Sequence, residues 1–241
     1  NVLRAGSRRY PLDRYRRIIV LGAGKASARM AETLERLLGR RIALGLINTK
    51  YEHLARLKRI ELHECGHPVP DAAGVEGARR IAEIASQATA EDLVIVLISG
   101  GASALLPLPA EPVTLEEKQA ATKLLLACGA AIQEINAVRK HLSAIKGGQL
   151  ARLAAPAPVL ALMLSDVIGD PLDVIGSGPT APDASTFGQA WAVIEKYALQ
   201  DRIPGAVRQR MEAGLRGEID ETPKCGDACF ERVQNVIVGS N

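Results

Sequence analysis

Six short apolar runs, separated by longer stretches of helical period, constrain the fold of this chain more than any other feature. They fall at residues 17–21 (RIIVL), 42–47 (IALGLI), 60–64, 93–98 (LVIVLI), 159–164 (VLALML) and 235–238 (NVIV). Such alternation is the signature of repeated βα units and a mainly parallel sheet, an α/β fold. The run at 93–98 is apolar at every position, so both faces of that strand need a helical cover, which places it centrally. At about 150 residues per domain, 241 residues allow one large α/β domain or two small ones.

Helix starts carry their own chemistry. Thr114-Leu115-Glu116-Glu117 is a capping box, in which the Thr hydroxyl and the Glu carboxylate satisfy two orphan N–H groups. Asp71, after Pro70, caps a helix reaching about Ser86, and Ser185 or Thr186 caps one reaching about Tyr197. Residues 102–113, with Pro107, Pro109 and Pro112, read as an ordered loop.

Composition removes several functions. Seven aromatic residues (2 Phe, 1 Trp, 4 Tyr) are too few for a base-stacking platform. Arg4, Arg8, Arg9, Arg14, Arg16 and Arg17 crowd the first 17 residues, which leaves the rest of the chain slightly acidic within a net charge of +3. That is no footprint for nucleic acid or a membrane surface. The longest apolar run, 153–164, is broken by Pro156 and Pro158 and falls short of the roughly 18 residues a membrane span needs. Cys65, Cys128, Cys225 and Cys229 are too few and too uneven for a disulfide framework and read as reduced thiols, which places the protein in the cytoplasm. No second Cys/His pair stands at zinc spacing from Cys225 and Cys229. The chain opens without Met and stops just after the last strand's Gly239-Ser240-Asn241 turn, so a second domain is expected beyond residue 241.

In an open parallel sheet, ligands bind at the carboxyl ends of the strands, where turns and helix N-termini present free N–H groups. Four such turns are rich in Gly, Ser, Asp, Asn or Lys: Gly22-Ala23-Gly24-Lys25-Ala26-Ser27, Ser99-Gly100-Gly101-Ala102-Ser103, Ser165-Asp166-Val167-Ile168-Gly169-Asp170 and Gly239-Ser240-Asn241. Ser27 stands where a dinucleotide fingerprint has its third glycine, and the second strand ends in Asn48-Thr49-Lys50 without an acid for a ribose, which disfavours NAD. Ile19 in place of the first glycine excludes a Walker A loop. Lys25 after a Gly-x-Gly turn is either a mobile ammonium that follows a transferring phosphoryl group or a surface lysine. Ser99 to Ser103 is either a nest of N–H groups for an anion or a tight turn. Asp166 and Asp170 suit Mg²⁺ or serve as turn aspartates. Gly176-Ser177-Gly178-Pro179-Thr180 lines a pocket or is simply a loop.

A helix over about 130–146 would align Asn136, Arg139, Lys140 and Ser143 on one stripe leading to Lys146-Gly147-Gly148. That stripe is a solvated face, or it closes over a carboxylate or polyphosphate. His67 in Gly66-His67-Pro68-Val69-Pro70 reads as part of a rigid turn rather than a base, because nothing local orients its ring.

The order of these segments resembles the class II glycerate 2-kinase, or MOFRL, family. The similarity rests on Gly22-Ala23-Gly24-Lys25-Ala26, Gly66-His67-Pro68-Val69-Pro70-Asp71, Ser99-Gly100-Gly101-Ala102-Ser103-Ala104-Leu105, Asn136 through Arg139 to Lys146-Gly147-Gly148, Leu164-Ser165-Asp166-Val167-Ile168-Gly169-Asp170-Pro171 and Ser177-Gly178-Pro179-Thr180. Together they span nearly the whole chain. Ala102 departs from the third glycine many relatives carry. The resemblance implies a doubly wound, Rossmann-like N-terminal domain with helices on both faces, its C-terminal MOFRL domain lying outside this sequence. It implies ATP-dependent phosphorylation of D-glycerate at the 2-hydroxyl with Mg²⁺. Lys25 and Asp166 would then be catalytic, and Asp166 and Asp170 would hold the metal. Gly22, Gly24, Ser99, Gly100, Gly101, Ser103, Ser177, Gly178 and Thr180 would bind substrate or phosphate, together with Arg139, Lys146 and Gly147. A small-molecule substrate is implied, with no nucleic-acid or membrane partner, and a homodimer stays open. The alternatives are a nicotinamide-dependent hydroxypyruvate reductase and a non-catalytic ligand-binding domain.

Overall fold

Side-chain alternation along the apolar runs decides how the sheet is covered. The computed structural model describes residues 1–240. A hairpin comes first, β1 (Val2–Ala5) and β2 (Arg8–Pro11), which the sequence pattern did not announce. The six expected strands follow, each somewhat longer than its apolar run: β3 (Arg17–Ala23), β4 (Ile42–Lys50), β5 (Ile60–Cys65), β6 (Asp92–Ile98), β7 (Val159–Ser165) and β8 (Val233–Ser240). Their order in space is β5-β4-β3-β6-β7-β8, with every neighbouring pair parallel. Counted among sheet strands alone, this is 3-2-1-4-5-6, a doubly wound order whose winding reverses between β3 and β6.

Ile19, Leu21 and Ala23 of β3 join Val94, Val96 and Ile98 of β6 and Val159, Ala161 and Met163 of β7 in one core. The alternate residues Ile18, Val20, Leu93, Ile95, Leu97 and Leu160 face the other way. This second face is covered by α1 (Ser27–Leu38), through Ala31, Leu34 and Leu38, and by Tyr10 and Leu12 of the N-terminal arm. The first is covered by α2 (Ala72–Ser86), through Ala78, Ile81 and Ala85. All seven residues of β6 are buried, at roughly 1.5–3 kcal/mol for each large aliphatic side chain removed from water. That gain is why the continuous apolar run occupies the middle.

The remaining helices are α3 (Ala102–Leu105), α4 (Leu115–Ala127), α5 (Ile132–His141), α6 (Gln149–Ala154), α7 (Phe187–Lys196) and α8 (Gly205–Leu215). α6 adds Leu150 and Ala154 to the first face. α4, α5, α7 and α8 build a separate helical core around Leu125, Val138, Phe187, Ile194 and Met211. The three expected caps are present: Asp71 accepts from the Gly74 N–H at 2.8 Å, and Thr114 with Glu117 and Thr186 with Gln189 form capping boxes.

Two local expectations are corrected. Residues 102–113 contain α3. The helix expected over 130–146 covers only Ile132–His141, because Ser143 bridges to Pro109 and its hydroxyl donates to the Leu108 carbonyl at 3.1 Å.

The amino end of the sheet is locked by a two-pronged ion pair, Arg17 Nε and Nη2 to the Asp92 oxygens at 2.9 and 2.6 Å. The Thr89 N–H and hydroxyl donate to the same carboxylate. Arg17 foremost, with these donors, holds Asp92 at a pKa of about 2. The hairpin docks on β8, where the Tyr10 hydroxyl donates to Gln234 at 2.6 Å and Gln234 donates to the Ala5 carbonyl at 3.0 Å. All four cysteines are free, and burial pushes the Cys65 thiol up to about 12. Among the described residues, no helix is long and apolar enough to cross a membrane.

Candidate active site

The crevice at the β3/β6 reversal is built by two loops zipped together. After β3, Gly24 adopts φ +141° and presses on Ser99, where a Cβ would meet the Ser99 backbone at 2.7–2.8 Å. The Lys25 N–H donates to the Gly100 carbonyl at 2.9 Å, and the Ala26 N–H donates to the Ser99 hydroxyl at 3.0 Å. Ser27 shares a further hydrogen bond with Ser99, 3.1 Å between hydroxyls. Ser99 is therefore occupied in joining the loops and presents no free hydroxyl to a ligand. Gly22, inside β3, brings that strand against the Leu97 backbone. The join leaves Lys25 exposed at the loop tip.

Gly101, at φ +86°, shows what gathers around this loop. A Cβ there would lie 2.8 Å from the His67 ring and 3.4 Å from the Lys25 side chain. A Cβ on Gly100 would run into the Asp166 carboxylate. Lys25, His67, the Gly100-Gly101 backbone and Asp166 thus meet at the carboxyl ends of β3, β5, β6 and β7. Burial, then Lys25, Lys50 and His53, lower the His67 pKa, and Asp166 opposes them, so the imidazole is neutral at physiological pH. Sequence reasoning left His67 in a turn. The signal that could have found it is its place, two residues after the β5 strand, at the same sheet edge as the other loops.

A second cluster adjoins the first through Ser103. The Ser103 hydroxyl accepts from Arg139 at 2.6 Å and pairs with the Ser177 hydroxyl at 2.8 Å. Lys146 donates to the Ser103 and Leu106 carbonyls at 2.8 and 2.7 Å. Lys118, from α4, reaches the Leu108 carbonyl at 3.4 Å. Lys118 and Lys146 are only 6% and 1% exposed. Burial first, and the neighbouring cations after it, push both ammonium groups well below the ordinary lysine range. Asn136, Lys140, Ser143 and Lys146 are all buried, which replaces the picture of a solvated stripe. Lys140 turns away to Asp173 and Asp183, at 3.2 and 3.3 Å.

A profile of the family described as "Domain of unknown function (DUF4147)" matches residues 1–212. The chain belongs to that family. Glycerate 2-kinase of Pyrococcus horikoshii is 42% identical over 93% of this chain and 50% of its own length. The crystal structure of a glycerate kinase from Thermotoga maritima superposes with a TM-score of 0.84 at 43% identity, covering 92% of this chain and 51% of that one. A protein of Agrobacterium vitis provisionally named hydroxypyruvate reductase is 43% identical over 89% of this chain and 48% of that one. The chain spans about half the length of the curated relatives it matches.

Several residues singled out in this DUF4147 chain serve the scaffold. The Gly147 N–H donates to Ser177, and the Gly148 N–H to the Gly178 carbonyl, at 3.0 and 2.7 Å. The Thr180 hydroxyl donates to Asn235 at 2.7 Å, and Asn235 returns a bond to the Thr180 carbonyl. Gly147, Gly178 and Thr180 therefore stitch α6 and β8 to the 176–180 loop. Asp170 accepts from the Ser240 hydroxyl at 3.0 Å, so its loop is tied to β8 while Asp166 faces Gly100. Among the described residues, no group of three or more His, Cys, Asp or Glu side chains could hold a metal. At the end of β4, Asn48 is buried and donates to the Gly74 and Leu105 carbonyls, which commits its side chain to the scaffold, while the exposed Glu52 stands two residues past the strand.

Proposed function

We propose that this DUF4147 chain is the phosphoryl-transfer half of an ATP-dependent kinase that phosphorylates D-glycerate at its 2-hydroxyl. The observation that carries the reading is the meeting of Lys25, the Gly100-Gly101 backbone and Asp166 at the crossover of a 3-2-1-4-5-6 sheet. Phosphoryl transfer is accelerated almost entirely by positioning and charge neutralisation. An exposed ammonium on a fixed backbone, beside two glycines that admit close approach, supplies both. Lys25 follows the transferring group because its stem is free, while the hydrogen bond from its N–H to Gly100 fixes its origin.

In this reading Asp166 would hold Mg²⁺. One or two protein carboxylates, completed by phosphate oxygens and water, is the usual Mg²⁺ pattern. When bound, the metal neutralises charge on the phosphate oxygens. His67, beside Gly101 with its pKa lowered by burial and then by Lys25, adds no charge that would compete with the ammonium. The names of the kinase relatives support the substrate.

The test is an ADP-release assay on the protein expressed from its intact gene, with D-glycerate and a panel of small hydroxy acids, set beside nicotinamide absorbance with hydroxypyruvate. ADP release that requires glycerate is the expected result. A nicotinamide signal without any need for ATP would replace the kinase with a reductase.

A further inference from the structure

Buried cations normally sit opposite a carboxylate, and Lys140 with Asp183 shows this chain obeying the rule. The pocket beside Ser103 breaks it. A cavity of about 250 Å³ is lined by Lys118, Arg139 and Lys146, with Lys123 exposed at its rim, and no carboxylate borders it. Its other walls are apolar, among them Pro68, Pro107 and Leu115. Leaving such groups uncompensated in a dry pocket is costly, so the arrangement is that of a binding site whose counter-ion arrives with the ligand.

We infer that this pocket is the carboxylate subsite for a small 2-hydroxy acid, and that Lys118 is a specificity-determining residue in it. The inference rests on the kinase reading for the identity of the acid, and on the cavity alone for its charge. Donor bookkeeping shows free capacity for an anion. An ammonium has three N–H donors. Lys146 spends two on the Ser103 and Leu106 carbonyls, and Lys118 spends one on Leu108. The remainder, with the unused edge of the Arg139 guanidinium, is sufficient to hold one planar two-oxygen group. At about 250 Å³ the cavity is below the roughly 300–1,000 Å³ of sites that take drug-sized ligands, and a three-carbon acid fits within it. Ser103 forms the wall shared with the Gly100-Gly101 loop, so an acid anchored by its carboxylate has its hydroxyl end toward the phosphoryl site.

Steady-state kinetics of Lys118→Met in the intact enzyme test this. The expected result is a rise of about 10- to 100-fold in the KM for D-glycerate with the KM for ATP within twofold of wild type, and partial recovery in Lys118→Arg. Thermal melting should show no loss of stability, because the substitution removes an uncompensated buried charge. An unchanged glycerate KM, or a rise confined to ATP, overturns the assignment. Should Lys118→Met fail to fold, Lys118→Gln replaces it in the same measurement. Should the intact protein phosphorylate no glycerate, calorimetric titration with D-glycerate, lactate and glycerol separates the two ideas. Binding of the acids but not of glycerol, lost in Lys118→Met, supports the subsite while the kinase reading falls, and no binding of either acid by wild type overturns the subsite.

Discussion

The two ends of the β3–β6 pair handle positive charge in opposite ways. At the amino end, Arg17 meets Asp92 in a two-pronged pair at 2.6 and 2.9 Å, and Thr89 fills the remaining acceptor capacity. At the carboxyl end, Lys25 stands exposed over glycines, and Lys118 and Lys146 lie buried beside carbonyls with no acid near them. Both ends belong to the same two strands, so the sheet does not impose the difference. Paired charge closes the bottom of the molecule, and unpaired charge at the top is what a charged ligand completes.

Substitutions at the two ends should therefore separate activity from stability. The largest effect is expected at Lys25: Lys25→Ala should lower kcat in the intact enzyme by about 100-fold or more, with a melting temperature close to wild type. A turnover near wild type would remove Lys25 from the chemistry. Asp92→Asn should do the reverse, costing roughly 2 kcal/mol of stability by urea denaturation at pH 7 while kcat is retained. The sign with pH follows from a carboxyl lowered in the fold from 3.8 to about 2. Its contribution is complete above the unfolded value and is lost as pH falls through the folded one, so the gap between wild type and Asp92→Asn should close between pH 4 and 2.

Thr180→Val comes next, at about 1 kcal/mol of stability with both KM values unchanged, because its hydroxyl is spent on Asn235. A raised KM would return Thr180 to the ligand-binding set. The smallest effect is expected on the exposed α2 surface. Arg79 pairs there with Glu76 and Glu83 at 2.5 and 2.6 Å, and Arg79→Ala should change stability by less than about 0.5 kcal/mol. A loss as large as that of Asp92→Asn would mean that pairing, and not burial, sets the strength of the lower lock.

The sheet was legible because its signal is local. The apolar runs of β3, β6 and β7 reflect burial on both faces, and the caps at Asp71, Thr114 and Thr186 involve partners three residues away. The gathering of Lys25 and Asp166 was also legible, since strand ends in a parallel sheet share one edge. What escaped depended on distant partners. Lys118 sits on a helix whose start was recognised, yet its significance comes from Arg139 and Lys146 on other segments. His67 has no local partner to orient it and acquires its surroundings only when β5 takes its place at the sheet edge, three strands from β6. The helix expected through residue 146 ends at His141 because Pro109 and Leu108 capture Ser143 from 34 and 35 positions away. The 1–11 hairpin was missed because its apolar residues pack on a strand more than 220 residues later.

That last attachment bears on how the chain is made. Tyr10 and Ala5 bind Gln234, more than 220 residues later in the chain, so the hairpin lacks these two hydrogen bonds until β8 has been made. Until β8 is in place, the arginine-rich arm lacks that anchor, and the cover that Tyr10 and Leu12 give this face rests on apolar packing alone. Its charge is suited to keeping nascent copies apart during that interval, a service that ends when the arm folds down and the sheet is sealed.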